Sequence, residues 1–549
     1  MSAFKLPVSR WLLAILAVLA LAAGIDNLQR PLANPDEGRY SEISREIVAT
    51  GDWTTPRLDG IKYFEKPPLQ YWATAASFEV FGTNEAAARL YVWLAGLATL
   101  LIVGFTGARI LGLDAGLASV LALVASPYFM ALGGIVTLDM GLTLWTTATF
   151  AALLLAEHSA DRPKEQRAWM LASWAAMALA VLSKGLVGIV FAGAAVFFAM
   201  ALRRNLSILG RMHWGWGLAI FLVIAAPWFI LVSRANPEFA RFFFIHEHFE
   251  RFLTHEHRRV QPWWSFIPIV LVGFLPWMVA LFPAVVTSWR AESGARFQPL
   301  RLALLWSAFI FLFFSASGSK LPAYVLPLFP ALALALGHYL ATAPPRRLAL
   351  WLAVVAPVGI AIAVAAMGLP DSAHDAWTRA LNEKAQPWAF AAAAILMVSC
   401  LSFAWMLFKG HRWAGLVGVA CATVMIVACL ENGYEELSPR QSGKDAARTM
   451  APLATAGTRL YSVSHYDQTL PFYLGRTLTL VNYVDEFETG QKAEPGCCIA
   501  KLDDFPAEWL RPGEALAIMQ PGSYEKLKAL GLPMQVLHDD PRRVLVRKP

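Results

Sequence analysis

Charged residues are scarce in this sequence. Asp, Glu, Lys and Arg make up 15% of the 549 residues, whereas hydrophobic residues make up 57%. This composition excludes an ordinary soluble domain and is typical of a protein that crosses a membrane many times. The formal net charge of +7 suits an anionic membrane surface and anionic lipid substrates. The basic residues are scattered over many short loops, which argues against a nucleic-acid partner.

Cysteines are also few. Three of the five, Cys400, Cys421 and Cys429, lie in apolar runs, and the other two, Cys497 and Cys498, are adjacent. This spacing predicts neither a disulfide framework nor a metal-binding knuckle.

Nucleotide-binding motifs are missing as well. The sequence has no Gly-x-Gly-x-x-Gly after a predicted strand and no complete phosphate-binding loop. The run Ser317-Gly318-Ser319-Lys320 lacks the upstream glycine of such a loop. If the protein transfers a group, we therefore expect a donor carried by a membrane lipid, and not a nucleotide held by a Rossmann-type fold.

Long hydrophobic runs dominate what is present. A membrane helix needs about 20 mostly apolar residues. Thirteen stretches are predicted to span the membrane: 10–26, 89–108, 114–133, 139–157, 168–183, 185–202, 214–233, 265–287, 301–316, 322–342, 348–368, 388–408 and 413–430. No small-residue cleavage pattern follows the first stretch, so we interpret it as a span and not as a removed signal.

Basic residues in the short loops predict the orientation. With the N-terminus inside, every short inside loop carries at least one Lys or Arg, as the positive-inside rule requires. Thirteen spans then place the C-terminal region outside, together with two long loops, 27–88 and 234–264.

The predicted architecture is a polytopic α-helical membrane domain, residues 1–434, followed by a small α/β domain outside the membrane, residues 435–549. In the first long loop, helices are expected at 36–49 and 69–80, lying along the membrane interface. In the C-terminal region, strands are expected at 459–464, 477–482 and 514–519, with a helix at 523–530 and a hairpin at 534–546.

Ionisable and aromatic side chains collect on the predicted outer side. Unpaired charge at the hydrocarbon edge is costly, so we expect these groups to cluster or to meet water. They are Asp36, Glu37, Glu65, Lys66, Asp139, Lys184, His246, Arg251, Lys320 and Tyr324. Carboxylates beside lysines and arginines suit phosphate handling and base catalysis.

Structural alternatives to these roles stay open. Asp36 and Asp139 are placed where they could cap helices. The three lysines could anchor helix ends at the interface, and Arg251 could pair with a glutamate on its own helix face. The segment 246–257 is rich in His and Glu but lacks the i, i+4 histidine pair of a zincin helix, so a solvated loop is favoured there.

Five strings together resemble a known family. They are Asn-Pro-Asp-Glu-Gly-Arg-Tyr (34–40), Tyr-Phe-Glu-Lys-Pro-Pro-Leu-Gln-Tyr-Trp (63–72), Ser-Lys-Gly-Leu-Val-Gly (183–188), Glu-His-Phe-Glu-Arg-Phe (247–252) and Ser-Lys-Leu-Pro-Ala-Tyr-Val-Leu-Pro-Leu-Phe-Pro (319–330). The strings resemble the bacterial branch of the protein-mannosyltransferase-related, GT-C type membrane glycosyltransferases. Within it they are most similar to the lipid A aminoarabinose transferases, which move 4-amino-4-deoxy-L-arabinose from undecaprenyl phosphate to lipid A phosphates.

The resemblance implies roles for individual residues. Those expected to be catalytic are Asp36, Asp139 and Glu37. Those expected to hold the polyprenyl phosphate are Lys66, Arg251 and Tyr324, with Lys184 and Lys320 beside them. Those expected to line the sugar pocket are Tyr40, Tyr63, Glu65 and His246. Glu65 would bind the sugar amine or, together with His246, a divalent metal such as zinc.

The resemblance also implies a function. We expect an inverting transfer by a monomer at the periplasmic face of the bacterial inner membrane, with no cofactor required, giving resistance to cationic peptides such as polymyxin. One alternative is a related transferase that acts on a protein or glycan hydroxyl. Another is a lipid transporter, which would favour charges at the bilayer midplane and repeated halves.

Overall fold

The computed structural model describes residues 28–245, 261–291 and 297–549. The first predicted span, 10–26, lies outside the described residues, as does the segment that carries His246 and Arg251. From the first outer loop to the end of the membrane region the elements are α1 (Asp36–Thr50), β1 (Arg57–Leu58), β2 (Ile61–Lys62), α2 (Leu69–Phe81), α3 (Glu85–Leu111), α4 (Leu113–Val124), α5 (Pro127–Leu132), α6 (Leu138–His158), α7 (Pro163–Lys184), α8 (Val187–Arg203), α9 (Ser207–Gly210), α10 (Trp214–Ala235), α11 (Phe239–Arg241), α12 (Phe266–Gly273), α13 (Met278–Ala291), α14 (Pro299–Ala316), α15 (Leu328–Thr342), α16 (Pro345–Met367), α17 (Ala376–Phe408) and α18 (Arg412–Glu436).

The chain is a multi-pass α-helical membrane protein, as predicted. Among the described helices, seven are long and apolar enough to cross a membrane: α3, α6, α10, α14, α16, α17 and α18. A bent pair, Phe266–Gly273 with Leu275–Arg290, adds an eighth if it is one span, and α4, α8 and α15 are shorter apolar helices. The number of thirteen spans stays a prediction.

Proline interrupts three of the predicted spans, and the prediction of unbroken helices there was wrong. In 114–133, α4 ends at Val124 and α5 begins at Pro127. In 265–287, the two halves meet at 90° around the turn Leu275–Trp277, whose middle residue is Pro276. In 322–342, a 3-10 turn, Pro322–Val325, comes before α15. Proline lacks an amide hydrogen and its ring clashes with the preceding turn, which hydrophobicity alone does not register.

The first outer loop contains the two predicted helices, α1 and α2, joined through the short antiparallel hairpin β1–β2. Two acidic residues, Asp36 and Glu37, occupy the first turn of α1, where the helix dipole favours negative charge. The position of these helices along a membrane interface stays a prediction.

A five-stranded sheet forms the C-terminal region and confirms the strands, the helix and the hairpin predicted there. After α18 the elements are α19 (Ser438–Gln441), α20 (Lys444–Met450), β3 (Arg459–Val463), α21 (Leu470–Leu474), β4 (Thr479–Val481), α22 (Glu488–Ala493), α23 (Phe505–Trp509), β5 (Ala515–Met519), α24 (Pro521–Ala529), β6 (Gln535–Asp540) and β7 (Arg543–Arg547). The strand order is β4-β3-β5-β7-β6. The strand β3 runs parallel to β4 and β5, whereas β7 is antiparallel to β5 and β6. The division of the chain between residues 434 and 435 stays a proposal.

Direct hydrogen bonds join this region to the first outer loop. The Asn34 side chain donates to Asp467 Oδ1 at 2.8 Å and accepts from the Thr469 amide at 3.1 Å. Nearby, the Leu478 amide donates to Asp59 Oδ1 at 2.7 Å. The C-terminal region is therefore positioned by the loop that carries most of the predicted site.

Close packing reinforces these bonds. A Cβ atom on Gly38 would lie 2.5 Å from the backbone carbon of Gln468, so glycine is required where α1 meets the C-terminal region. One buried apolar cluster contains Tyr40 from α1 together with Phe472 and Phe487 from the C-terminal region. The two regions thus share a core.

Three carboxyl groups are buried in the same interface. Arg45 donates to both oxygens of Glu42 at 2.6 and 2.7 Å, and the Gly60 amide donates to Glu46 at 3.0 Å. Burial raises the pKa of Glu46 and of Asp59 well above their usual ranges, and the neighbouring Glu42 adds to the shift. These two groups therefore hold their protons more tightly in the folded protein than in the unfolded chain.

We predict that this cluster makes the fold less stable as the pH rises. The stabilisation is fully present below the ordinary carboxyl pKa of about 4 and is lost as the pH rises toward the raised values, by at most about 1.4 kcal/mol per pH unit for each proton. Thermal unfolding in detergent between about pH 5 and about pH 8 measures the slope. The double variant Glu46→Gln/Asp59→Asn should show a flatter slope than the wild type, and equal slopes would contradict the prediction.

Candidate active site

A buried ion pair joins the first long loop to α3. Glu37 accepts two hydrogen bonds from Arg89 of α3, each 2.8 Å long, and further bonds from the amides of Ala33 at 3.0 Å and Val136 at 3.1 Å. Although burial opposes ionisation, Arg89 and Arg30 lower the pKa of Glu37 to about 2. The carboxylate is therefore ionised at any physiological pH.

This geometry favours a positioning role for Glu37 over the catalytic role expected from the sequence. Both of its carboxylate oxygens already accept hydrogen bonds from protein donors. Removing one partner of such a pair leaves an uncompensated buried charge, which makes the contact a rigid constraint.

The same contact joins the segments that carry two predicted acids. Asp36 is adjacent to Glu37, and Asp139 follows Val136 by three residues, a chain length of at most about 11 Å. The Glu37–Val136 bond therefore connects the first turn of α1 with the segment before α6. Asp36 and Asp139 are about a hundred residues apart in sequence. Each lies in the first turn of its helix, α1 or α6, and the Glu37–Val136 hydrogen bond links the starts of these two helices.

Asp139 forms an ion pair with Lys184. The Lys184 ammonium contacts Asp139 Oδ1 and lies 4.5 Å from the ring centroid of Tyr324. The acid is buried and the pair is mostly shielded from solvent. Three of the predicted site residues, from α6, α7 and the turn before α15, thus meet in one cluster, which we name the lysine cluster.

A second cluster surrounds Arg39 of α1. Arg39 contacts Asp36 at 3.3 Å and Glu486 of the C-terminal region at 3.3 Å. Tyr63 and Glu65 lie close enough to interact electrostatically with the same guanidinium. We name this group the arginine cluster, and it unites predicted sugar-pocket residues with Asp36.

Two buried tyrosines complete the arginine cluster. Burial raises the pKa of Tyr40 and of Tyr63 well above the usual range for a phenol. Both hydroxyls therefore keep their protons and can donate hydrogen bonds at neutral pH. Within the described part of the chain, the Tyr63 hydroxyl has no hydrogen-bond partner, which leaves a buried donor available to a ligand.

Lys66 and Lys320 are half-buried near these clusters. Lys66 donates to the carbonyl of Glu65 at 2.9 Å and lies 3.9 Å from its carboxylate. The Lys320 ammonium donates to the carbonyl of Ser317 at 2.6 Å. Phe64 packs in one cluster with Leu182, which places the Glu65-Lys66 segment against the end of α7 beside Lys184.

An apolar groove of about 510 Å³ begins next to the lysine cluster. It runs between the end of α7, the start of α8 and the helix α10. Its lining includes Gly185, Leu186, Phe221, Phe229, Arg234 and Phe243. Gly185 directly follows Lys184 in the chain, so the groove begins one residue from the lysine cluster.

Some predictions about the site are untested. Arg251 and His246 lie outside the described residues. Within residues 28–245, 261–291 and 297–549, no group of three or more His, Cys, Asp or Glu side chains is arranged to hold a metal ion. Metal binding by Glu65 and His246 stays a prediction.

Sequence reasoning missed two residues of the site. Glu486 comes from a short 3-10 turn, Asp485–Phe487, and no local pattern marks it. Arg89 lies inside an apolar helix, and an ionisable residue in such a place is a signal that could have led to its partner.

Comparisons with known proteins agree with this architecture. Residues 8–243 match the family described as dolichyl-phosphate-mannose-protein mannosyltransferase, and residues 446–548 match the aminoarabinose transferase C-terminal domain. An undecaprenyl phosphate-α-4-amino-4-deoxy-L-arabinose arabinosyl transferase of Proteus mirabilis is 34% identical over 60% of this chain and 59% of its own length. The aligned region thus spans about three fifths of that relative.

Solved structures extend the likeness to nearly the whole chain. The crystal structure of ArnT from Cupriavidus metallidurans bound to undecaprenyl phosphate superposes with a TM-score of 0.93 at 35% identity, covering 99% of this chain and 98% of that one. An oligosaccharyltransferase of Archaeoglobus fulgidus, at 14% identity and a TM-score of 0.53 over 85% of this chain and 64% of that one, shares the fold alone. The chain therefore belongs to the ArnT family of aminoarabinose transferases.

Proposed function

We propose that this protein moves 4-amino-4-deoxy-L-arabinose from undecaprenyl phosphate to a phosphate of lipid A. It does so as a monomer at the periplasmic face of the bacterial inner membrane, and the product confers resistance to cationic peptides such as polymyxin. One observation carries the proposal: Lys184, which pairs with Asp139, directly precedes the groove-lining residues Gly185 and Leu186, in a chain that matches an undecaprenyl phosphate-bound structure along 99% of its length.

The lysine cluster is suited to the leaving phosphate. A donor phosphate that approaches Lys184 can take the place of Asp139 as the ammonium's partner. In this proposal Lys66 and Lys320 share the charge, and Tyr324, whose ring lies 4.5 Å from the Lys184 ammonium, supplies a hydroxyl. Preorganised cations of this kind stabilise charge that develops on a leaving group.

In this proposal, the Asp139 carboxylate acts on the sugar once its ion pair with Lys184 has been broken. The freed carboxylate faces the sugar carbon, whose positive charge grows as the bond to phosphate breaks. The acceptor phosphate of lipid A attacks from the opposite side and inverts that carbon. A phosphate is already anionic near neutral pH, so Asp36 and Asp139 act as electrostatic and orienting groups, and a strong general base is not required.

The arginine cluster is suited to the sugar. An amino sugar carries positive charge at neutral pH, and carboxylates from Asp36, Glu65 and Glu486 surround Arg39. The phenol of Tyr63 is a buried donor for a sugar hydroxyl. A pocket lined by carboxylates and aromatic rings favours an aminated pentose over a neutral one. The positive charge of the amine would share with Arg39 the task of balancing the negative charge of these carboxylates.

The apolar groove is suited to the polyprenyl tail. Ring side chains such as Phe221, Phe229 and Phe243 line it, and its lining includes Gly185, which directly follows Lys184 in the chain. Burial of isoprene units there would contribute about 25 cal/mol for each Å² of apolar surface removed from water. The proposed chemistry uses cations of the protein itself and requires no cofactor.

We predict that three substitutions abolish transfer without preventing insertion. Asp36→Asn, Asp139→Asn and Lys66→Ala should each lower the rate on the order of 10²- to 10³-fold, the cost of removing one preorganised electrostatic contact. The assay is purified protein with mass-tagged undecaprenyl-linked sugar and lipid A, read as a pentosamine mass increment on lipid A.

Matched controls are available on the exposed surface. Asp371→Asn and Lys492→Ala change the same side-chain types at positions where both groups are largely solvent-exposed. These variants should transfer at the wild-type rate. Wild-type transfer by all three site variants would remove the assigned site. Transfer to a protein or glycan hydroxyl with none to lipid A would overturn the proposed acceptor.

We predict that Glu486 positions Arg39 for donor binding. Glu486 also accepts from Gln468 at 2.8 Å and from Tyr483 at 3.2 Å, so its carboxylate is held by three partners. Glu486→Gln should raise the KM for donor roughly tenfold, the scale of one hydrogen bond to a charged group. The neighbouring exposed residue gives the control, Glu488→Gln. An unchanged KM with a lowered melting temperature would show a purely structural role.

A further inference from the structure

Two consecutive cysteines lie where the C-terminal region meets the first outer loop. The Sγ atoms of Cys497 and Cys498 are 3.5 Å apart, and both thiols are free and half-buried. Both pack against the apolar cluster that the two regions share. The remaining cysteines, Cys400, Cys421 and Cys429, belong to the membrane helices α17 and α18.

The cysteine pair is anchored on both sides. Ile499, directly after it, donates to the Leu480 carbonyl at 2.9 Å and accepts from the Asn482 amide at 2.8 Å, which fixes it to the edge of the sheet. Before it, Glu494 accepts from Arg57 at 3.0 Å and from the Lys62 amide at 3.2 Å. The pair therefore connects the rigid sheet to the β1–β2 hairpin.

The backbone between these anchors is tightly turned. Gly496 has a φ of +91°, a conformation that favours glycine, and the Cys497 amide donates to the Glu494 carbonyl at 3.3 Å. Lys62, which Glu494 holds, directly precedes Tyr63 of the arginine cluster. A change in the turn can thus reach the proposed sugar pocket through Glu494 and the Lys62-Tyr63 segment.

We propose that Cys497 and Cys498 form a redox-responsive site that closes into a vicinal disulfide and, on closing, loosens the contact of Glu494 with the β1–β2 hairpin. The oxidant is a disulfide of low molecular weight, of which oxidised glutathione is the probe. The consequence for sugar transfer rests on the proposed function, but the chemistry of the pair does not. A site outside the membrane on the periplasmic side would meet such oxidants, because disulfides persist in that compartment.

The reaction is a two-step exchange. The two sulfur atoms are 3.5 Å apart, so a mixed disulfide on one can be attacked by the other, and we assign the first attack to Cys498. Its thiolate attacks one sulfur of the oxidant and expels a thiolate, which takes up a proton. Cys497 then attacks the Cys498 sulfur of the mixed disulfide and expels the second thiol with its own proton. Two electrons pass from the cysteines to the oxidant, which leaves as two thiols.

Strain makes the closed ring a switch. The Cα atoms of consecutive residues are about 3.8 Å apart, shorter than the roughly 4.4–6.8 Å typical of disulfides. A strained disulfide is reduced easily, which marks a labile bond. Because two backbone bonds fix Ile499 to the sheet, the strain relaxes toward Glu494.

Mass spectrometry of the full-length protein in lipid nanodiscs tests the site. After oxidised glutathione, the peptide that contains residues 497 and 498 should lose two hydrogens and resist alkylation until dithiothreitol is added. The single variants Cys497→Ser and Cys498→Ser cannot close the ring. A glutathione adduct without ring closure in the wild type would overturn the proposal.

Hydrogen exchange tests the coupling without depending on activity. Ring closure should speed exchange of the Lys62 amide on the order of tenfold, the scale of one lost hydrogen bond to a carboxylate. Neither serine variant should show this faster exchange, because neither can close the ring and the Cys497→Ser variant can form only the mixed disulfide at Cys498. Unchanged exchange in the closed wild type would overturn the coupling.

Transfer is the last readout. The oxidised wild type should transfer sugar on the order of tenfold more slowly than the reduced protein, since small displacements of positioning groups are costly. The rate should recover with dithiothreitol and should not change in either serine variant. Equal rates in the open and closed wild type would overturn the effect on transfer. No transfer by the reduced wild type would count against the proposed function, while mass and exchange still decide the redox site.

Discussion

The ion pair between Glu37 and Arg89 is the constraint on which the outer side of this molecule depends. It is buried, doubly hydrogen-bonded and extended by the Val136 amide. In a low-dielectric interior, the two charges keep one geometry because separating them would leave each as an unpaired buried charge, which costs free energy. The pair therefore joins the start of α1 to the segment before α6, and this geometry favours a positioning role for Glu37.

Around this constraint, the proposed function divides the charges into two groups with different tasks. The lysine cluster has a cation and an acid that can separate when a phosphate arrives, and the apolar groove starts beside it. The arginine cluster gathers carboxylates and tyrosines from the first outer loop and from Glu486. A lipid-linked amino sugar has a phosphate, a cationic sugar and a greasy tail, and the two clusters and the groove correspond to these three parts. The C-terminal region is accordingly part of the site.

Hydrophobic periodicity and turn residues were enough to predict the membrane helices, α1, α2 and the C-terminal strands, because these depend on local composition. Hydrophobicity did not predict the helix breaks at Pro127, Pro276 and Pro322. The neighbouring residues are apolar, and hydrophobicity does not register that proline lacks an amide hydrogen. The role of Glu37 and the presence of Glu486 in the site depend on contacts made across dozens to hundreds of residues. No local pattern encodes such contacts, so only the folded chain shows them.

A double substitution tests the central constraint most directly. Glu37→Met and Arg89→Met alone should each lower the melting temperature strongly, because each leaves a buried charge unpaired, at a cost of about 3–5 kcal/mol. The double variant should recover much of that stability but transfer sugar far more slowly than the wild type, since the Glu37–Val136 hydrogen bond between α1 and the Asp139 segment is then lost. Wild-type transfer by the double variant, or wild-type stability of the single variants, would contradict the account.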